Sequence, residues 1–127
     1  MKKTAYIFTD KAPKPIGPYS QAVDAGGLLF VSGCIPLDAV TGEAAGADIE
    51  AQAAKALDNL REVLAAAGLT FDSLAKTTVF LRNMGDFARF NQVYQSALGA
   101  AAPARSVVEV SALPKGVLVE IEAVACR

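Results

Sequence analysis

The chain has 127 residues, 53% of them hydrophobic and 20% charged, with 12 basic and 13 acidic residues and a formal net charge of -1. A single domain over residues 1–127 is expected, and the balanced charge argues against a nucleic-acid partner, which would need a cationic cluster. No apolar run is long enough for a secretion signal or a membrane span, so we expect a cytoplasmic protein without membrane contact. The apolar content exceeds what a small monomer needs, which indicates a subunit interface.

The N-terminal third predicts a loop, a hairpin and a connection. Residues 11–20 contain three prolines, which fix φ and favour an ordered loop over a strand. Residues 21–24 and 28–32 are short apolar runs on either side of Ala25-Gly26-Gly27, and this arrangement predicts a β-hairpin. Residues 36–47, with one proline and two glycines, are expected to form a connection.

The next segment predicts a helix followed by a strand. From Asp48 to Ala67 the apolar residues recur at spacings of three and four, as one face of a helix requires. Asp48 can cap this helix, and Gly68 can end it because glycine adopts left-handed backbone geometry readily. Alternation over residues 73–82 then predicts a strand.

The C-terminal third predicts a second, shorter helix over residues 86–98, followed by two strands. The β-rich runs 105–112 and 117–125 flank Leu113-Pro114-Lys115-Gly116, which we interpret as a second hairpin. Strands interleaved with two helices predict an α/β (α+β) fold in which a mixed sheet has both helices on one face. The other face would then be open to a partner subunit.

Histidine is absent, which limits the possible chemistry. Its absence excludes Ser-His-Asp and Cys-His catalytic systems and HExxH zinc sites. Cys34 and Cys126 have neither the number nor the spacing of a disulfide scaffold or a zinc site, so we expect free thiols and no metal. Acid–base work would fall to Glu, Asp, Tyr, Lys, Cys or the backbone.

Arg105 begins a strand of otherwise apolar or small residues. Its rigid fork of donors suits bidentate recognition of a carboxylate. A salt bridge to Glu109, Glu120 or Glu122 is the alternative.

Glu120 and Glu122 alternate with Val119, Ile121 and Ala123, so both carboxylates are expected on one face of a strand. They could polarise water, and burial and like charge could raise one pKa. The solvated face of an ordinary strand is the alternative.

Two further residues are candidates for a pocket. Tyr19 offers a phenolic hydroxyl on a proline-rich loop, although it could equally be a packed aromatic. Cys34 follows Ser32-Gly33 at the end of a strand, and without a histidine neighbour it is expected to be a small buried residue and not a nucleophile.

The sequence resembles the RidA (YjgF) family from about Ala12 to the C-terminus. The strongest matches are PARSVVEV at 103–110, Leu113-Pro114 and VEIEA at 119–123; further matches are IGPYSQA at 16–22, VSGCIP at 31–36, Gln52-Ala53 with Leu57-Asp58-Asn59, and KTTVFL at 76–81. The resemblance implies a chorismate-mutase-like fold, a homotrimer around a barrel of packed sheets, and active sites in the clefts between subunits.

The resemblance also implies an activity, the hydrolysis of 2-imino acids or enamines such as 2-iminopropanoate and 2-iminobutanoate to 2-keto acids and ammonia, with no cofactor. Arg105 would bind the substrate carboxylate and Glu120 would orient the attacking water. The other positions that it implies for substrate binding are Tyr19, Asn91, Ser106 and Val107. Many relatives have cysteine at the position of Val107, so only a backbone role is open there. A trimer that binds small carboxylates without turnover, and a ribonuclease or translation inhibitor, are the alternative functions.

Overall fold

The structure is a computed structural model that describes residues 4–127, so the first three residues of the predicted domain lie outside it. The strands and helices are β1 (Thr4–Ile7), β2 (Ala22–Ala25), β3 (Leu28–Cys34), α1 (Ile49–Ala66), β4 (Leu74–Leu81), α2 (Phe87–Leu98), β5 (Ala104–Glu109) and β6 (Val119–Cys126). They form one mixed six-stranded sheet in the order β1-β2-β3-β6-β4-β5. Within residues 4–127, neither helix combines the length and apolar character needed to cross a membrane.

Helix α1 forms as the sequence predicts. The side chain of Asp48 accepts a hydrogen bond from the Ala51 N–H at 2.8 Å and so caps the first turn. Gly68 adopts a φ of 76° just beyond the last turn, where glycine carries no steric penalty. The apolar face of α1 is buried against the sheet, and each large side chain buried in this way contributes roughly 1.5–3 kcal/mol.

The first predicted hairpin is confirmed, and the second is wrong. β2 and β3 pair antiparallel around Ala25 and Leu28. In contrast, β5 and β6 do not pair, because β4 lies between them: it pairs parallel with β5 and antiparallel with β6. Four apolar side chains of β6 on the helix face, Val119, Ile121, Ala123 and Ala125, are buried, so this strand is stabilised best at the centre of the sheet, between β3 and β4. The strand β1, at the sheet edge, was not predicted because four residues carry little periodic signal.

Both helices pack on one face of the sheet, as predicted, and share one core with it. We call the other side the open face. Cα pairing and alternation place a mixed set of side chains on it, including Tyr6, Val23, Phe30, Thr78, Phe80, Ser106, Val108, Glu120, Glu122 and Val124. Phe30 and Val108 are 46% and 42% exposed, so apolar area on this face is accessible to a partner.

Candidate active site

Arg105 lies on the helix face of the sheet, against α2. It pairs with Thr77 of β4, whose side chain is completely buried under α2. The Nη1 of Arg105 donates a hydrogen bond to Oδ1 of Asn91 at 2.8 Å. Its guanidinium lies 4.8 Å from the ring centroid of Tyr94 and 5.7 Å from that of Phe87. This half-buried cation is therefore oriented by three side chains of one helix.

The aromatic support of Arg105 is itself fixed. The hydroxyl of Tyr94 and Oγ1 of Thr77 share a hydrogen bond of 2.7 Å between buried groups. The Tyr94 ring also packs on Phe90, with centroids 5.6 Å apart. Because the ring cannot move freely, the guanidinium above it has a defined direction.

Within residues 4–127, Arg105 does not form the salt bridge to Glu109, Glu120 or Glu122 that the sequence left open as an alternative. None of the ion pairs among residues 4–127 includes Arg105. The carboxylate of Glu109 accepts a hydrogen bond from the Met84 N–H at 2.7 Å instead. Four of the five guanidinium N–H groups thus lack a hydrogen-bond partner within residues 4–127, and they are suited to an anion supplied from outside the chain.

Glu120 lies on the open face, beside β3. Its side chain is half-buried and crosses directly over Gly33, where a side chain would collide with it. Burial raises the pKa of Glu120, and the neighbouring charge of Glu122 raises it further. A carboxyl group with a raised pKa is a better proton acceptor once it is ionised, which suits it to general base catalysis.

A cavity of about 70 Å³ adjoins Glu120. Its deep wall includes Leu37, Asn59 and Val63, which are at most 3% exposed, while Ile16 and Tyr19 at its mouth are 62% and 49% exposed. This space is several times the roughly 10–15 Å³ that one buried water requires. Tyr19 and Glu120 therefore belong to one pocket, as a shared role would require.

Cys34 also lines this cavity, but as a neutral thiol. Burial, followed by the nearby charge of Glu120, raises the pKa of Cys34 to about 12. Its Sγ donates a weak hydrogen bond to the carbonyl of Ser32 at 3.6 Å. At neutral pH the thiolate needed for nucleophilic attack is scarce. The prediction of a small buried residue is confirmed for Cys34, and both cysteines are free thiols.

Two residues that shape the cavity escaped the sequence analysis. Gln21, which is 6% exposed, donates to the carbonyls of Thr9 and Pro13 and accepts from the Thr9 N–H, which fixes the loop before Tyr19. Asn59 donates to the carbonyls of Ile35 and Leu37 at 2.9 and 3.0 Å. A polar residue inside the apolar stripe of α1 was the available signal for Asn59.

Arg105 and Glu120 lie on opposite faces of the same sheet. Arg105 is level with Thr77 of β4, and Glu120 is level with Phe80. Thr77 and Phe80 are three residues apart, and side chains alternate along a strand, so they point to opposite sides. We divide the candidate site into two parts: the arginine half consists of Arg105 and Asn91, and the glutamate half consists of Glu120 and Tyr19. One chain does not bring the two halves together.

The last two candidates lie on the edge strand β5. Ser106 is exposed on the open face, level with Thr78, while Val107 is half-buried on the helix face, level with Val79. Because β5 pairs only with β4 among the described strands, backbone groups along its outer edge are available to a ligand or a partner.

Replacing Glu122 with Gln should lower the pKa of Glu120 toward its ordinary value, because one of the two causes of the increase is removed. Burial, the larger cause, remains, so the shift should be partial. Carboxyl ¹³C NMR titration measures it directly. Glu62→Gln is a matched control, since Glu62 lies on α1, on the other side of the sheet. An unchanged Glu120 titration in Glu122→Gln would contradict the proposed coupling.

These features define an α+β protein with a partly buried guanidinium on one face of its sheet and a half-buried carboxylate on the other. The family model for endoribonuclease L-PSP matches residues 9–127. The chain therefore belongs to this family, which is the RidA (YjgF) family that the sequence resembles.

Individual relatives agree over the whole domain. A RutC family protein of Pyrococcus horikoshii is 53% identical over 121 residues, which cover 95% of this chain and 96% of the relative. The 2-iminobutanoate/2-iminopropanoate deaminase of Escherichia coli K12 is 48% identical, with 100% of this chain and 99% of the enzyme covered. The crystal structure of E. coli TdcF with bound serine superposes with a TM-score of 0.91 at 44% identity, covering 97% of this chain and 98% of that one.

Proposed function

We propose that this protein hydrolyses 2-imino acids and their enamine tautomers, with 2-iminopropanoate and 2-iminobutanoate as substrates. The observation that carries the proposal is the pair of half-sites: a guanidinium with free donors at Arg105 and a half-buried carboxylate at Glu120. The full-length similarity to a deaminase of that specificity supports it.

The chemistry requires little beyond these groups. Arg105 binds the substrate carboxylate and so orients C2. Glu120 takes a proton from water as the oxygen attacks C2, the C=N electron pair moves to nitrogen, and Glu120 passes this proton to the nitrogen. Glu120 then helps to move the hydroxyl proton to nitrogen; the C–N bond breaks, C2=O forms, and ammonia leaves. One imino acid and one water give one 2-keto acid and one ammonia, and no metal or organic cofactor enters the balance.

We propose further that the sites form between subunits of a homotrimer. The opposite-face placement supports this, because a carboxylate held by the arginine half can reach Glu120 only if Glu120 comes from another copy. The exposed apolar area of the open face supports it too, since packing this face against neighbours would cover Phe30 and Val108.

Mixing two inactive variants tests both proposals. Arg105→Ala lacks the arginine half and Glu120→Gln lacks the glutamate half, so each alone should retain at most about 1% of wild-type activity. In trimers assembled from equal amounts by co-refolding, about a quarter of the sites should combine an intact half from each variant. The measurement is imine decay, with the imine generated in situ by an amino acid oxidase. Mixed trimers that stay inactive would contradict a shared site.

The outcome also separates the alternatives. TdcF was crystallised with serine, so binding of a small carboxylate without turnover is the second candidate. Wild-type protein that binds 2-ketobutanoate but leaves imine decay unchanged would favour it. The family description names a ribonuclease; RNA cleavage by the same preparation, lost in neither variant, would favour that activity instead.

A further inference from the structure

Gly33 is the penultimate residue of β3, where glycine is an unfavourable choice. Glycine weakens a strand because it loses more backbone freedom than other residues and offers no side chain to pack. The backbone does not require it, since Gly33 is not among the residues with positive φ. The space that a side chain would occupy at this position is therefore the feature that accounts for a glycine here.

The side chain of Glu120 occupies the space that a side chain at position 33 would need. A Cβ atom placed on Gly33 would lie 2.7 Å from Cδ and 3.0 Å from Cγ of Glu120, and it would overlap Oε2. The pairing of β3 with β6 is irregular between Val31 and Cys34, so the sheet is locally distorted at this position. The bare backbone and this irregularity together form a slot in which the carboxylate lies.

We propose that Gly33 is a positioning residue for Glu120, because its missing side chain leaves the slot that directs the carboxylate into the cavity beside Tyr19. A side chain at position 33 would turn the carboxylate out of this slot. The clash falls mainly on the flexible end of Glu120, so the fold should tolerate the substitution while the carboxylate loses its direction. The expected loss of catalysis rests on the proposed function. The expected change in the direction of the Glu120 carboxylate does not.

Four charged or titratable groups surround the slot. Glu122 lies on the same strand, Cys34 follows Gly33 on β3, and Lys14 and Tyr19 line the cavity from the loop. On the other side, β4 contributes Phe80, which does not titrate. A carboxylate that leaves the slot exchanges burial for solvent, which removes the main cause of its raised pKa.

The variant Gly33→Ala tests the proposal. We expect kcat for 2-iminobutanoate to fall by about 10- to 100-fold, because a small misplacement of a catalytic group has effects of this size. KM should change by less than about 3-fold, since Arg105 still binds the carboxylate. The carboxyl NMR titration should show a lower pKa for Glu120, and the trimer should persist.

The matched control is the same substitution in the Glu120→Gln background. If Gly33 acts through the carboxylate, Gly33→Ala should cause no further loss there. A comparable further loss, a rise in KM with kcat unchanged, or an unchanged Glu120 titration would overturn the proposal. If the wild-type protein shows no deamination, the proposed function fails, and the titration alone decides the role of Gly33.

A folding failure of Gly33→Ala is also informative. The double variant Gly33→Ala/Glu120→Ala lacks Cγ, Cδ and Oε2, the atoms of Glu120 that the new Cβ atom would meet, so the contact is relieved. Recovery of a folded trimer in the double variant would support the slot. Failure of both variants to fold would place the requirement for glycine in the backbone and overturn the proposal.

Discussion

Glu120→Gln should lower the turnover of 2-iminobutanoate by about 10²- to 10⁴-fold, the usual contribution of a positioned general base. The amide keeps the shape of the side chain but cannot accept a proton from water. KM should remain within about 3-fold of wild type, because Arg105 is unchanged. Steady-state kinetics at several pH values measures both parameters. Glu62→Gln, on α1 on the other side of the sheet, is the control and should retain turnover.

The same substitution should not reduce stability at neutral pH. The pKa of Glu120 is raised in the folded chain, so folding disfavours the ionised form. This destabilising contribution is absent below the ordinary pKa of a glutamate, grows as pH rises toward the folded pKa, and is fully present above it. Glu120→Gln should therefore unfold at an equal or higher temperature at pH 7, and any advantage should disappear near pH 3.5. A large loss of stability at pH 7 would instead indicate a structural carboxylate.

Arg105→Ala should reduce kcat/KM by about 10²-fold or more, since the substrate carboxylate loses a charge-assisted fork of donors. Arg105→Lys should recover only part of the loss, because an ammonium group provides charge without the planar fork. The proposed homotrimer should persist in both variants, as judged by sedimentation, because Arg105 forms no ion pair within residues 4–127.

Arg89→Ala is a matched control for the loss of an arginine from the same region. Arg89 lies on α2, is exposed, and forms ion pairs with Glu50 and Asp86. Pairs of this kind contribute at most about 1 kcal/mol, so activity should be nearly unchanged. Loss of the trimer in Arg105→Ala would identify a structural role for Arg105 and would undermine its assignment to the site.

Individual helices and strands could be predicted from the sequence, whereas the order in which the strands pair in the sheet could not. Helix α1 and the first hairpin follow from periodicity, capping and glycine placement over short stretches. The second hairpin was wrong because strands close in sequence need not pair when a more buried position exists. β6 is inserted between β3 and β4, and β4 therefore separates it from β5. No local pattern around residues 113–116 carries that information.

The candidate site shows the same division. The chemical character of Arg105 and Glu120 was evident from residue type and position on strands. Their placement on opposite faces depends on the register of strand pairing, through the partners Thr77 and Phe80. Local patterns in a single sequence do not predict that register. The role of Gly33 was out of reach for a similar reason, since the atom that fills its space lies on a strand distant in sequence.

Because β6 lies at the centre of the sheet and carries Glu120, the sheet and the glutamate half are completed at the same point of protein synthesis. Until Val119–Cys126 leaves the ribosome, β3 and β4 lack the strand that joins them, so each has an unpaired edge that β6 later fills. The segment that closes the sheet also carries Glu120. A chain interrupted before this point would have neither a closed sheet nor the carboxylate, so incomplete products would carry no glutamate half into an assembly.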